Sequence, residues 1–467
     1  MTLTGIGTVA TKMFGGLNEA EVLTRLRGVS ALAEGSTIND GNLQASTSQD
    51  SSTAQAAEIF ARAAFSGIAE PGDRIAGMLI ATLGANGALN ALIQRLDAAQ
   101  IIGLMGDTKA GAELGITFDE ELAQNVSAGL QRWAPRLNAS EALAHLERAA
   151  RFDITLLTPT HSEWPEGVND LGFHGPHVLW VRGSLEVLAT LPVSIALVGA
   201  RASTGYGEHV TMEAAAGLVD RGVTVVSGAA YGIDGMAHRS AFASGGNTVA
   251  FLAGGVDRFY PSGHDALLHR IVASGAVVSE LPCGSSPTKW RFLQRNRLIA
   301  AASAATVVIE AGWRSGSLNT AGHASALGRP LGVVPGPVTS ASSAGCHRLL
   351  RETDAILVTN ATEMLELLPF DAKSPRNESD DQSKGESGAS PGVAHRGAPN
   401  RAHPDEIRVI DALSARTPRS TEDIARCAGL SVSQTQSVLG LCQLAGRAVA
   451  THSGWRLLRI PEDKKGG

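Results

Sequence analysis

Six short runs stand out in the middle of the chain: VSIALV (193–198), VTVVS (223–227), TVAFLA (248–253), AVVSEL (276–281), ATVVIEA (305–311) and LGVVP (331–335). None alternates apolar with polar positions. A strand with one wet face would alternate; a strand covered on both faces does not. Between the runs lie segments such as 208–221 and 317–328, whose apolar residues fall at helical spacing. Buried strands alternating with helices predict a doubly wound, mainly parallel α/β sheet over residues 151–370. Two earlier runs, ITLLT and HVLWVRG, predict further strands in front of it.

The flanks read differently. Residues 1–57 end in EGSTINDGNLQASTSQDSSTAQAAE, too poor in apolar groups to offset ordering entropy, and are expected to form a disordered extension. Residues 58–150, with stretches such as IAGMLIATLGANGALNALIQRL, predict a small helical domain. Residues 371–402 carry five cations and five anions among Ser, Gly and Pro, the composition of a flexible linker. From residue 403 to 467 the pattern predicts helices over Asp405–Ala415, Thr421–Cys427 and Ser433–Leu444, then a hairpin in VATHSGWRLL. Ser420 with Asp423, and Ser431 with Gln434, have capping-box spacing. Three helices and a hairpin suggest a winged helix-turn-helix.

Composition narrows the class. The 467 residues are 43% hydrophobic and 18% charged, with formal charge −6, so any attraction to nucleic acid must come from a local patch. No apolar run reaches the ~18 residues that span a bilayer, and the N-terminus lacks a secretory pattern. Cys283, Cys346, Cys427 and Cys442 show no CxxC spacing, which disfavours zinc or a disulfide framework and fits a reducing cytoplasm.

The chemistry sits where strands end. Ligands of open α/β sheets bind outside the carboxyl ends of the strands. Those ends carry GARASTGYG (199–207), SGAAYGIDGMAH (227–238), AGGVDRFYPSGH (253–264) and EAGWRSGSLNTAGHA (310–324). Glycine lets backbone N–H groups approach a ligand, and helix starts favour anions. Neither GxGxxG nor GxxxxGK[ST] is present, which disfavours a dinucleotide or ATP hydrolysis. The stretch TKWRFLQRNR (288–297), between the fourth and fifth strands, holds four cations and two aromatics and no acid. Cations neutralise phosphates, and a ring stacks on an exposed base. Together they suit unpaired nucleic acid, against the plainer reading of a basic helix start with packed rings. His264, His323 and His347 lack metal-ligand spacing. Asp234 and Glu310 are either an acid–base pair or a helix cap and a loop tie. Tyr206 and Tyr260 either stack or pack. The last helix opens SVSQTQSV, with no cation to read an operator.

In order along the chain, GARASTGYG, SGAAYGIDGMAH, GGVDRFYPSGH, SELPCG, FLQRNRLIAAAS, EAGWRSGSLNTAGHASALGRPLGVVPG and GCHRLL resemble the motifs of the DprA (Smf) family, DNA-processing proteins of natural transformation. The resemblance is dense over about 152–368. It implies an extended Rossmann-like domain flanked by a SAM-like helical domain and a winged helix, with no catalytic residue, cofactor or metal. It also implies sequence-independent binding of single-stranded DNA, a homodimer and delivery of the strand to the RecA recombinase. Carried onto this chain, the contacts would be Gly199, Arg201, Ser227, Gly228, Lys289, Phe292, Arg295, Asn296, Arg297, Ser315, Gly316 and Ser317. The chain departs from the family pattern at Leu293, where Pro is common, and at His264 and His347, where Asn is common. The competing readings are a phosphoribohydrolase-like enzyme acting through Glu310, although PGPVTS stands where that class has PGGxGT, and a nucleotide-sensing regulator.

Overall fold

The computed structural model describes residues 16–30, 45–369 and 403–458. The expected linker, 371–402, lies outside the described residues, as do 1–15 and 31–44 of the expected extension.

Nine strands form one sheet: β1 (Ile154–Leu157), β2 (Leu179–Gly183), β3 (Ser194–Gly199), β4 (Thr224–Ser227), β5 (Thr248–Phe251), β6 (Ala276–Ser279), β7 (Ala305–Glu310), β8 (Leu331–Val333) and β9 (Ile356–Leu357). Their order is β1-β2-β6-β5-β4-β3-β7-β8-β9. The pairs from β6 through β9 are parallel, while β1 and β2 run antiparallel at one edge. The six apolar runs supply β3 to β8, and β4 to β8 are buried at every position. This is a Rossmann-like fold, with the chain reversing direction across the sheet at β3.

In front of the sheet lie α1 (Glu19–Arg27), α2 (Ala45–Ile68), α3 (Arg74–Ile93), α4 (Ala98–Gly106), α5 (Lys109–Glu113), α6 (Glu120–Trp133) and α7 (Ala139–Arg151). The expectation of disorder up to residue 57 is corrected here. Helix α1 buries Val22 and Leu26, and α2 starts at Ala45 and buries Ala56 and Ala57. Local signals explain α1: Asn18 caps it, Glu19 and Glu21 sit in its first turn, and Arg25 and Arg27 in its last. Low average hydropathy hid a short amphipathic helix. Helix α3 is kinked at Gly84 (φ +70°), and the Glu58 carboxylate accepts the Ala85 and Asn86 N–H groups at 3.0 Å each, capping the second half. It is the one described helix long and apolar enough to cross a membrane, and 67% of its apolar window is buried inside the protein.

Alternation along the strands divides the core. Ile195 and Leu197 face α8 (Gly205–Val219) and α9 (Ile233–Ala243). Ala196 and Val198 face the side covered by α11 (Lys289–Ala302), α12 (Ser317–Ala326) and α13 (Ala344–Glu352). Helices α10 (Asp265–Ser274) and α14 (Ala361–Glu366) complete the layers. The C-terminal module has α15 (Pro404–Ala412), α16 (Thr421–Ala428) and α17 (Val432–Leu444), then a ribbon of β10 (Ala448–Thr451) and β11 (Gly454–Leu457). Ser431 and Gln434 form the reciprocal capping box, and Ser420 caps α16.

A buried carboxylate joins the parts. Glu70, between α2 and α3, accepts from Arg136 Nη2 at 2.5 Å and from Arg291 at 2.8 and 3.2 Å. Burial alone would push its carboxyl up, but Arg291 and Arg136 override this and hold it far below the usual carboxylate range. Arg136 Nε in turn donates to the Arg426 carbonyl at 2.6 Å.

Removing the carboxylate strands two buried guanidinium groups. Glu70→Ala is expected to cost about 3–5 kcal/mol in denaturant unfolding, and a loss below about 0.5 kcal/mol would show the hub to be idle. Because the folded-state pKa is depressed, the contribution is present above the unfolded carboxylate value and is lost as pH falls. The gap between parent and variant should therefore narrow towards acid.

Candidate nucleic-acid interface

The reversal at β3 opens a crevice. From β3 the chain moves outward to β4, β5 and β6, then crosses back to β7, so the loops after β3 and β7 leave in opposite directions. A groove of about 950 Å³ occupies that position. Its walls are Gly199–Ala202 after β3, Ala230 and Asp234 after β4, the first two turns of α11, and Gly312–Ser317 after β7.

Backbone approach fixes the floor. A Cβ on Gly199 would lie 2.5 Å from Ile233 Cγ1, so only glycine lets β3 turn into the groove here. Glu310 ends β7 and holds the neighbouring loop, accepting the Thr204 N–H at 2.9 Å and its hydroxyl at 2.8 Å. Asp234 accepts the Gly228 and Ala230 N–H groups at 3.2 and 3.4 Å, and burial pushes its carboxyl up. Both acids therefore tie loops. Helix α12 starts at Ser317 with no side-chain cap, and Ser315 and Ser317 share a hydroxyl contact of 2.8 Å at its start. Three of the expected residues, Ser315, Gly316 and Ser317, thus line the groove at an uncapped helix N-terminus, where the Leu318 and Asn319 N–H groups donate to the Ser315 and Gly316 carbonyls.

The basic-aromatic stretch opens a helix, and this distributes its side chains over different faces. Thr288 caps α11, accepting the Arg291 N–H at 3.2 Å. At about 100° per residue, Lys289, Phe292 and Asn296 share one side while Arg291 and Arg297 point away. Lys289 is exposed and Phe292 half-buried, both lining the groove. The exposed Arg201 lays its guanidinium over Phe292, 4.9 Å from the ring centroid. Tyr260, 51% exposed, leans on the same ring at 5.6 Å.

Five of the expected contact residues are corrected in part. Arg297 is 3% exposed and paired bidentately with Glu280 at 2.6 Å, on the far side of α11. Arg295 lines the groove's floor, yet donates to the Gly228 and Phe251 carbonyls at 2.6 and 2.5 Å. Burial lowers its pKa to about 10, which leaves it charged at neutral pH, with Nε and Nη1 already bonded inside the protein. Ser227 is fully buried, its hydroxyl donating to the Leu197 carbonyl at 2.7 Å. Gly228 leaves room for Arg295, since a Cβ there would lie 2.3 Å from Arg295 Nη1. Asn296 is 9% exposed and bonds Asn319 Oδ1 at 3.2 Å, bridging α11 to α12 at the groove's edge.

Two residues escaped the sequence reading. Trp313, 59% exposed, stands on the β7 wall with the Arg348 guanidinium 4.9 Å from its ring. Arg314 beside it is exposed. The signal was a Trp-Arg pair inside a glycine loop already singled out. Of the other candidates, Tyr206 donates to the Pro335 carbonyl at 2.7 Å, and the His264 and His347 rings contact the Ala229 and Gly336 carbonyls. Among the described residues no group of His, Cys, Asp and Glu is arranged to hold a metal ion.

The family model for DNA recombination-mediator protein A matches residues 155–369. The DNA processing protein DprA of Mycobacterium tuberculosis is 43% identical over 349 residues, covering 73% of this chain and 84% of that one. Protein Smf of Escherichia coli is 37% identical over 50% of this chain and 62% of its own. Among solved structures, DprA of Streptococcus pneumoniae is 27% identical over 66% of this chain and 96% of that one, with a TM-score of 0.49. A Helicobacter pylori DprA structure, described as showing that protein's single-stranded DNA binding mode, is 28% identical over 46% and 95%, with a TM-score of 0.42. On the identity and coverage of the mycobacterial relative, the chain belongs to the DprA family of DNA-processing proteins.

Proposed function

We propose that the groove binds single-stranded DNA without sequence preference, and that the protein protects such strands and passes them to a RecA-type recombinase in the cytoplasm. The observation that carries the reading is the Arg201–Phe292 stack beside exposed Lys289, in a groove that also receives the uncapped start of α12. Helix N–H groups and two free cations suit successive phosphates. Phe292, Tyr260 and Trp313 supply flat surfaces for bases, which only an unpaired strand exposes. No base-edge reader is needed, so the binding is indifferent to sequence. The same reading includes a homodimer that sets two grooves side by side and raises avidity. A nucleotide-cleaving reading is weakened by Glu310, whose two oxygens are both held by Thr204. The regulator reading gains nothing from α17, which carries no Lys or Arg.

Titration of oligo-dT against duplex of equal length, across salt, should show tighter binding of the single strand and affinity that falls as salt rises. Equal affinity for both forms would overturn the proposal. Arg201→Ala should weaken all sequences alike and shallow the salt slope by about 0.7. Phe292→Ala and Trp313→Ala should each cost roughly 1–3 kcal/mol with little salt dependence. Release of base from nucleoside monophosphates would favour the enzyme instead.

The two ends of the basic stretch should separate in a stability assay. Arg297→Ala leaves Glu280 buried and unpaired, and should lower unfolding free energy by about 3–5 kcal/mol. Lys289→Ala should stay within about 0.5 kcal/mol of the parent while losing oligo-dT affinity.

A further inference from the structure

The first turn of α11 begins with three backbone donors, those of Lys289, Trp290 and Arg291. Thr288 takes the one from Arg291. The Lys289 N–H donates to the Asp411 carboxylate at 2.5 Å, and the Trp290 N–H lies next to it at the same helix start. Asp411 belongs to α15 of the C-terminal module and itself lines the groove. A helix already capped by Thr288 needs no second cap for its own integrity. A carboxylate accepting a backbone N–H at a helix start, beside a lysine, has the charge and geometry of a bound phosphate.

We propose that Asp411 is an internal phosphate mimic, and that docking of the C-terminal module against α11 holds the groove partly closed until a strand phosphate displaces that carboxylate. This rests on the single-strand reading above and adds regulation to the same site. The contacts across the junction are of a kind that opens. The module keeps an apolar core of its own, including Val409, Leu413, Ile424 and Leu439, with no apolar residue of the sheet domain in it. What crosses the junction is polar or charged: Asp411 to α11, the Arg408 guanidinium 5.5 Å from the Trp290 ring, Arg426 to Glu141 at 3.1 Å, and Arg136 to the Arg426 carbonyl. Such groups exchange one another for water or phosphate at small net cost, whereas parting a shared apolar core would not. An occluded site binds with its intrinsic affinity reduced by the open fraction, so the gate sets a threshold of strand concentration or length.

The test uses the full chain. Asp411→Asn and Asp411→Ala should each raise oligo-dT affinity by roughly tenfold, the worth of one charged hydrogen bond. Glu422→Ala, which removes an exposed acid on α16 of the same module, should leave affinity unchanged. In the unaltered protein, adding oligo-dT should raise hydrogen exchange in α15. Unchanged or weaker binding by both Asp411 variants overturns the gate while leaving single-strand binding standing, as does an equal gain from Glu422→Ala, which would reflect net charge alone. Unchanged exchange in α15 on binding also overturns it. If neither the parent nor any variant binds oligo-dT, the single-strand reading fails and the gate fails with it. Binding seen only after Asp411 is replaced supports both.

Discussion

The groove depends on how α11 is fastened from behind. Its arginines are consumed by the interior: Arg291 by Glu70, Arg297 by Glu280, and Arg295 by two carbonyls at the ends of β4 and β5. Buried charges of this kind are weak contributors to net stability, but each is costly to leave unpaired, so together they admit one rotation and one height of the helix. That constraint puts Lys289 and Phe292 on the groove side and brings Phe292 under Arg201, which arrives on the loop after β3. A helix held by apolar packing alone could slide by a fraction of a turn; one pinned by three guanidinium groups cannot without orphaning a charge.

What the sequence disclosed follows from the range of the forces involved. Strands β3 to β8 were readable because a sheet covered on both faces must be apolar at every position, and that is a local property. The crevice was readable because glycines gather where backbones must approach closely. By contrast, β9 holds two exposed residues, Ile356 and Leu357, and gives no run to detect. Helix α1 was lost in an averaged composition although Asn18 and its charged turns mark it residue by residue. The division of TKWRFLQRNR between groove and interior has the same root. Counting cations over a window treats them as equivalent, whereas a helical period sorts them by face. The partners that claim them, Glu70 and Glu280, stand 221 and 17 residues away in the chain and announce nothing locally. Trp313 is hidden for the opposite reason: it stands in a loop whose glycines are its dominant local feature.

Because α11 serves both the groove and the junction, those two sites are mechanically one. Arg291, which binds Glu70, is the neighbour of Phe292, which faces the groove. Trp290, beneath Arg408, is the neighbour of Lys289. Glu70 also holds Arg136, whose other nitrogen reaches the Arg426 carbonyl of the C-terminal module. Helical domain, sheet domain and C-terminal module therefore meet within two turns of one helix, and a strand seated on its front face presses on contacts that begin one residue away. Coupling across so short a path needs no long relay. It requires only that the junction be polar enough to exchange partners while the buried pairs behind α11 stay closed, and the separate apolar core of the C-terminal module meets that requirement.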